Sequence, residues 1–141
     1  MLEVGCGRGV ALPGLARLCR PRSLVGLDME SALLDEARHY LTAYDVRCEL
    51  VCGDVRQMPF EAASFDVVVD FGTLFHIARP AAGLAEIARV LRPGGLFVEE
   101  TKLSQVLSHP LRSRGRRVPW EDAPRLRRGR SAGLWSAKVC V

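Results

Sequence analysis

Three glycines at alternating positions end a short apolar segment in Leu2-Glu3-Val4-Gly5-Cys6-Gly7-Arg8-Gly9. No other feature constrains the fold as much. It predicts a strand that stops in a tight turn, with no Cβ between its backbone and a ligand. A second apolar run, Leu24 to Leu27, ends in Asp28. A glycine-rich strand end followed by an acid about 20 residues on is the nucleoside-binding arrangement of doubly wound α/β folds. The chain is therefore expected to bind an adenosine-containing cofactor.

The rest of the chain repeats the strand and helix periods that such a fold needs. Val10 to Arg20 reads as the helix after the glycine turn, with Pro13 in its first turn, where a missing N–H is tolerated. Ser23 to Asp28 reads as a second strand. Ser31 to Tyr40 carries Ala32, Leu33, Ala37 and Tyr40 at helical spacing. Val46 to Val51 reads as a third strand, closed by Gly53-Asp54. Phe65 to Phe71 is apolar apart from Asp66 and Asp70, as in a strand covered on both faces. Ala82 to Leu91 reads as a helix stopped by Arg92-Pro93-Gly94-Gly95, and Leu96 to Glu100 as the fifth strand. Strands alternating with helices predict an α/β fold: a doubly wound, mostly parallel sheet between two helical layers. Right-handed crossovers would then gather Gly5 to Gly9, Asp28, Asp54 and Asp70 on one sheet edge. Beyond residue 100, a helix from Lys102 to Ser108, a loop containing proline and arginine, and a closing strand over Gly133 to Val141 are expected.

Length and composition limit the alternatives. A chain of 141 residues fits one domain, divided here into a cofactor-binding core (1–100) and a basic C-terminal segment (101–141). No apolar run is long enough for a spanning helix, and no secretory signal opens the chain. Cys6, Cys19, Cys48, Cys52 and Cys140 form an odd set without framework spacing, which fits free thiols in a reducing cytoplasm. No metal site is expected, because no second Cys/His pair joins Cys48 and Cys52. Residues 101–141 hold ten Lys/Arg against two Asp/Glu, and eight arginines fall between Arg112 and Arg130. Such a segment reads first as a solvated basic face. It could also attract nucleic acid.

Four blocks resemble one family. LEVGCGRG, VGLDME (Val25 to Glu30), CGDVRQMPFEAASFDVVVD (Cys52 to Asp70) and LAEIARVLRPGGLFVEE (Leu84 to Glu100) stand in the order and spacing of class I S-adenosylmethionine-dependent methyltransferases, of the small-molecule type 11 group. The resemblance runs from Leu2 to about Glu100 and implies S-adenosyl-L-methionine as cofactor. The turn reads G-x-G-x-G rather than the G-x-G-x-x-G of dinucleotide sites, whose third glycine lets a helix approach a pyrophosphate.

The resemblance also assigns roles. Gly5, Cys6, Gly7 and Gly9 would form the loop under the cofactor's methionine and ribose parts. Glu3 would help hold the amino end. Asp28 would accept from both ribose hydroxyls, and Met29 would pack on the adenine face. Asp54 would accept from the exocyclic amine, with the Val55 N–H on a ring nitrogen. Asp70 would lie beside the methionine end or else cap a turn. His76 would be a general base or an orienting group, since imidazole titrates near neutral pH.

Methyl transfer is an in-line displacement at a sulfonium methyl, so the protein mainly aligns and shields the reactants. Phe71-Gly72-Thr73 after Asp70 does not resemble the Asn/Asp-Pro-Pro-aromatic run of amino-directed nucleic-acid enzymes. This speaks against DNA base N-methylation and leaves an oxygen, carbon or small-amine acceptor open; the resemblance to the type 11 group implies a small molecule. Family members usually carry a further segment before the first motif, so the chain resembles a truncated methyltransferase. Two other functions stay open on the sequence: a catalytically weak cofactor-binding remnant, and an RNA methyltransferase that uses the Arg112–Arg130 segment.

Overall fold

The computed structural model describes residues 1–100. The Lys102–Ser108 helix, the Gly133–Val141 strand and the arginine-rich segment lie outside the described residues. Eight elements follow in order: β1 (Leu2–Val4), α1 (Leu12–Cys19), β2 (Val25–Asp28), α2 (Ser31–Ala43), β3 (Glu49–Cys52), β4 (Phe65–Asp70), α3 (Pro80–Val90) and β5 (Leu91–Glu99). The five strands form one sheet in the order β3-β2-β1-β4-β5, and every pair is parallel. The chain winds outward from β1 through β2 to β3, then returns across β1 to β4 and β5. The order therefore reverses beside β1, where doubly wound sheets open a crevice at their carboxyl ends. Val4 pairs with both Leu27 and Asp70, and Asp28 pairs with Cys52, so these strands end nearly level.

Side chains alternate across the pleat and build a core on each face. On one face, Ile87 and Val90 of α3 pack with Leu2, Val4, Leu27, Val68 and Phe97. On the other, Leu12 and Leu15 of α1 and Leu34 and Leu41 of α2 pack with Cys6, Leu24 and Val69. Leu2, Leu12, Leu27, Leu34 and Ile87 are fully buried. Each such side chain contributes about 2 kcal/mol through apolar burial.

Local chemistry sets where elements begin and end. The glycine turn continues past Gly9 through a Leu12 N–H bond to the Gly9 carbonyl, so α1 begins at Leu12, two residues later than its apolar run suggests. It stops at Arg20, whose left-handed backbone (φ 47°) returns its N–H to the Ala16 carbonyl, just before Pro21. α2 extends three residues beyond the expected Tyr40 because Leu41 still reaches the core.

The largest departure is at β5. Arg92-Pro93-Gly94-Gly95 was expected as a turn between helix and strand. Instead the strand begins at Leu91, opposite Phe65, and pairing resumes at Val67↔Leu96. The residues between form a wide bulge opposite Asp66, closed by the ion pair of Arg92 Nη1 with Asp66 Oδ1 at 2.6 Å. Gly94 turns there with φ 79°, and a Cβ on Gly95 would lie 2.8 Å from the Arg92 carbonyl.

The β3–β4 connection, residues 53–64, contains no helix. It is anchored from α3 instead. Glu86 Oε2 accepts from the Met58 N–H at 2.7 Å, while Arg89 donates to the Phe60 and Met58 carbonyls at 2.8 and 3.1 Å. Buried Val55 and Met58 fix the same segment to the core.

A candidate nucleoside crevice at the carboxyl edge

The glycines of the first turn do three different things. Gly5 has φ 63°, and a Cβ there would fall 1.7 Å from the Thr73 hydroxyl oxygen. That hydroxyl donates to the Val4 carbonyl at 3.1 Å, so a residue of the β4–α3 loop fills the space above the end of β1. Gly7 has φ 52° and no atom within 4 Å of its Cβ position. It supplies the left-handed conformation and leaves open space beside the backbone. Gly9 also has positive φ, but its Cβ position lies 3.1 Å from Ala37 Cβ. Its main consequence is close packing of the turn on α2.

Cys6 donates its N–H to the Leu27 carbonyl at 2.9 Å, while its side chain packs in the α1/α2 core. Burial, then the Glu3 and Asp28 charges, push its thiol up to about 12. Its expected place in the cofactor loop is thus a backbone position, with the sulfur in the interior.

Asp28 links the turn to β2. Its Oδ2 accepts from the Gly7 N–H at 2.7 Å, and its Oδ1 from the Glu30 N–H at 2.9 Å. Each oxygen retains capacity for another donor. Glu3 sits beneath, 3% exposed, and its Oε2 has no hydrogen-bond partner. Burial, reinforced by the charges of Asp70 and Asp28, raises its carboxyl to about 8. A carboxylate without a partner in the interior is costly unless a cation compensates it.

Two further acids lie on this edge. Asp70 is fully buried, and both its oxygens are engaged. Oδ1 accepts from Gly72 and Thr73 N–H at 2.9 and 2.6 Å, and Oδ2 from Leu74 N–H at 3.0 Å. Of the two roles weighed for Asp70, this geometry is that of the cap. Asp54 is clasped by Arg56, whose side chain contacts both carboxylate oxygens. These hydrogen bonds, chiefly the side-chain ones, hold the Asp54 carboxyl below the usual range.

An open crevice lies among these groups. Gly5, Asp28, Met29, Asp54 and Val55 line it, joined by Leu27, Gly53, Thr73 and Ile77. Of the residues expected to bind the cofactor, Glu3, Cys6, Gly7, Gly9 and Asp70 are not part of this lining. His76, expected as a general base or orienting group, is also outside it, exposed on the β4–α3 loop with its N–H donating to the Thr73 carbonyl at 2.9 Å. Among the described residues, no group of three His, Cys, Asp or Glu side chains is arranged to hold a metal ion.

The family described as "Methyltransferase domain" matches residues 2–98, more than half of the chain. The chain belongs to this methyltransferase family. A fatty-acid O-methyltransferase of Mycolicibacterium smegmatis is 39% identical over 100 residues, covering 70% of this chain and 35% of that protein. A phthiotriol/phenolphthiotriol dimycocerosates methyltransferase of Mycobacterium tuberculosis is 40% identical over 99 residues, covering 69% of this chain and 35% of that protein. The chain thus spans about a third of the length of these relatives. Among solved structures, a candidate S-adenosylmethionine-dependent methyltransferase of Methanococcus maripaludis superposes with a TM-score of 0.65 at 27% identity, covering 70% of this chain and 45% of that one.

Within this methyltransferase domain, several contributors to the crevice were not singled out from the sequence, Leu27 and Gly53 among them. Thr73 and Ile77 line it from the β4–α3 loop, and Arg56 fixes Asp54. Asp70-x-x-Thr73 has the spacing of a capped turn and could have marked the loop. No local signal marks Ile77. Arg56 is two residues from Asp54, but nothing in the sequence orients its guanidinium.

Proposed function

We propose that this chain binds S-adenosyl-L-methionine in the carboxyl-edge crevice and takes part in methyl transfer to a small, apolar acceptor. The observation that carries this reading is the pairing of Asp28 with the glycine turn on the crevice wall, above a buried Glu3 whose Oε2 has no partner. The residues present fit the cofactor. Glu3 is suited to face the amino end, where an ammonium would offset the burial of its carboxylate. Asp28 has one acceptor direction left on each oxygen, a match for two neighbouring ribose hydroxyls. The open space at Gly7 would admit the chain between them. Met29, more than half exposed, is placed to cover an adenine face, with Asp54 and the Val55 N–H toward its polar edge.

The bound cofactor supplies an electrophilic methyl on sulfur, taken in line by the acceptor. The protein's part is alignment and exclusion of water. Asp70 serves this by fixing the Gly72–Leu74 turn, and Gly9 by seating the glycine turn on α2. His76 is proposed as an orienting group or base for the acceptor on the same loop.

An apolar acceptor is supported from two directions. The relatives' names specify fatty-acid and phthiotriol-type substrates. In this chain, Val10, Met29, Phe71 and Phe75 are exposed apolar residues, and all follow carboxyl ends of strands. Among the described residues no helix is long and apolar enough to cross a membrane.

The test is a titration of the 141-residue chain with S-adenosylhomocysteine and, separately, NADH, read by calorimetry and melting temperature. Stabilisation by S-adenosylhomocysteine is expected. Stabilisation by NADH alone would sink the reading. Transfer of labelled methyl to a long-chain fatty acid but not to a short polar acid then tests the acceptor class.

A further inference from the structure

The clasp on Asp54 has a chemical consequence for the base that the crevice accepts. Arg56 gives this carboxylate three separate N–H groups. Its backbone N–H donates to Oδ1 at 2.8 Å, its Nε–H is shared between Oδ1 at 2.9 Å and Oδ2 at 3.0 Å, and Nη2 donates to Oδ2 at 2.6 Å. A carboxylate offers roughly four acceptor sites, so one direction is left. The guanidinium also reaches the β4–α3 loop, with Nη1 donating to the Ala78 carbonyl at 3.4 Å. Ala78 follows Ile77, which lines the crevice. The Asp54 and Arg56 side chains are only 36% and 24% exposed, so this is not a freely solvated surface pair.

We propose that Arg56 is a positioning and specificity residue: by occupying all but one acceptor direction of Asp54, it sets the crevice to take a base that presents one N–H, and to reject one that presents an oxygen there. The proposal rests on the reading of the crevice as a nucleoside site. An exocyclic amine supplies the single missing donor. A 6-oxo group at the same position would set oxygen against carboxylate, with no hydrogen to share. The hydrogen bonds of Arg56 hold the Asp54 carboxyl below the usual range, and its planar fork fixes the carboxylate plane as lysine cannot. The Ala78 contact ties the β3–β4 segment to the β4–α3 loop.

The experiment measures affinity by calorimetry for S-adenosylhomocysteine and its 6-oxo counterpart, S-inosylhomocysteine. The full chain is compared with R56K, R56Q and D28N. The unaltered chain is expected to favour the amino ligand by about tenfold or more, the scale of one hydrogen bond to a charged group. R56Q should lose about tenfold in affinity for the amino ligand and bring the ratio close to one. R56K, which keeps the charge but not the fork, should fall between. D28N should weaken both ligands and leave their ratio intact. A merely structural Arg56 would act like Asp28 on that ratio. An unchanged ratio in R56Q overturns the proposal while the cofactor reading stands. If R56Q does not fold, an unchanged ratio in R56K overturns it equally. If the unaltered chain binds both ligands equally, the base is not read at Asp54. If it binds neither, the nucleoside reading itself has failed, and this inference with it.

Discussion

At the scale of single residues, Glu3 is the sharpest case of function set against stability. Its folded carboxyl titrates at about 8 against 4.5 for an unperturbed glutamate, because burial disfavours the charge and Asp70 and Asp28 add repulsion. Folded protein therefore keeps a proton that unfolded chain has lost between these values. Stability contributed by this group falls as pH rises through that window and levels off above it. Glu3→Gln removes this dependence. The variant should be more stable than the parent by on the order of a few kcal/mol near pH 8 and nearly equal to it near pH 4.5. Melting curves from pH 5 to pH 8 check this, and parallel pH dependence of the two proteins would refute it. The same variant should bind S-adenosylhomocysteine worse, since the ammonium would lose its counter-charge. Binding to the parent near pH 7 should release roughly one proton, measurable from calorimetry in buffers of different ionisation enthalpy.

Gly7→Val should also weaken binding, here through strain. Nothing crowds the Cβ position, so the cost is that of φ 52° in a β-branched residue, about 1–3 kcal/mol. That Gly5, Gly7 and Gly9 form a turn was legible from their spacing. That Gly9 packs on α2 and Gly5 lies under Thr73 was not, because the partners are distant in sequence.

At the scale of elements, the loop after β4 depends on one buried acid. Asp70→Ala would leave the Gly72, Thr73 and Leu74 N–H groups without their acceptor. Each orphaned donor costs about 1–3 kcal/mol, so a loss of at least ~3 kcal/mol is expected from denaturant unfolding. A loss under about 1 kcal/mol would mean that the turn holds itself. Asp70→Asn should cost less but still destabilise, since its amide nitrogen cannot accept.

Strand and helix identities were legible for every described element because each is a run of clear period. Boundaries were harder where tertiary pairing decides them. Leu91 looks like the last helical residue by spacing, yet pairing with Phe65 and burial in the α3-side core draw it into β5. Pro93-Gly94-Gly95 was legible as a break in regular backbone. A bulge and a turn present the same residues, and only the register of β4 separates them.

At the scale of the whole molecule, the parallel order β3-β2-β1-β4-β5 places every connection on one of two edges. The carboxyl edge carries residues 5–11, 29–30, 53–58 and 71–79; the opposite edge carries 20–24, 44–48 and the approach to β4 near 61–64. The sequence carried this partition, because alternating strands and helices with right-handed crossovers admit few topologies. It did not carry the contacts that tie the edge loops together, Thr73 standing over Gly5 and the Arg56 reach to Ala78, because both join segments far apart in sequence. The partition makes ligand binding a spatially resolved prediction. At S-adenosylhomocysteine concentrations near 100 times Kd, the ligand should stabilise the fold by about 2.7 kcal/mol. Amide exchange should slow most in peptides spanning residues 5–11, 53–58 and 71–79, where local opening and ligand contact coincide. Peptides covering 20–24 and 44–48 should slow only as far as global unfolding limits them. Strong protection on that second edge, with none at the glycine turn, would mean that the nucleoside sits on the wrong side of the sheet for this site.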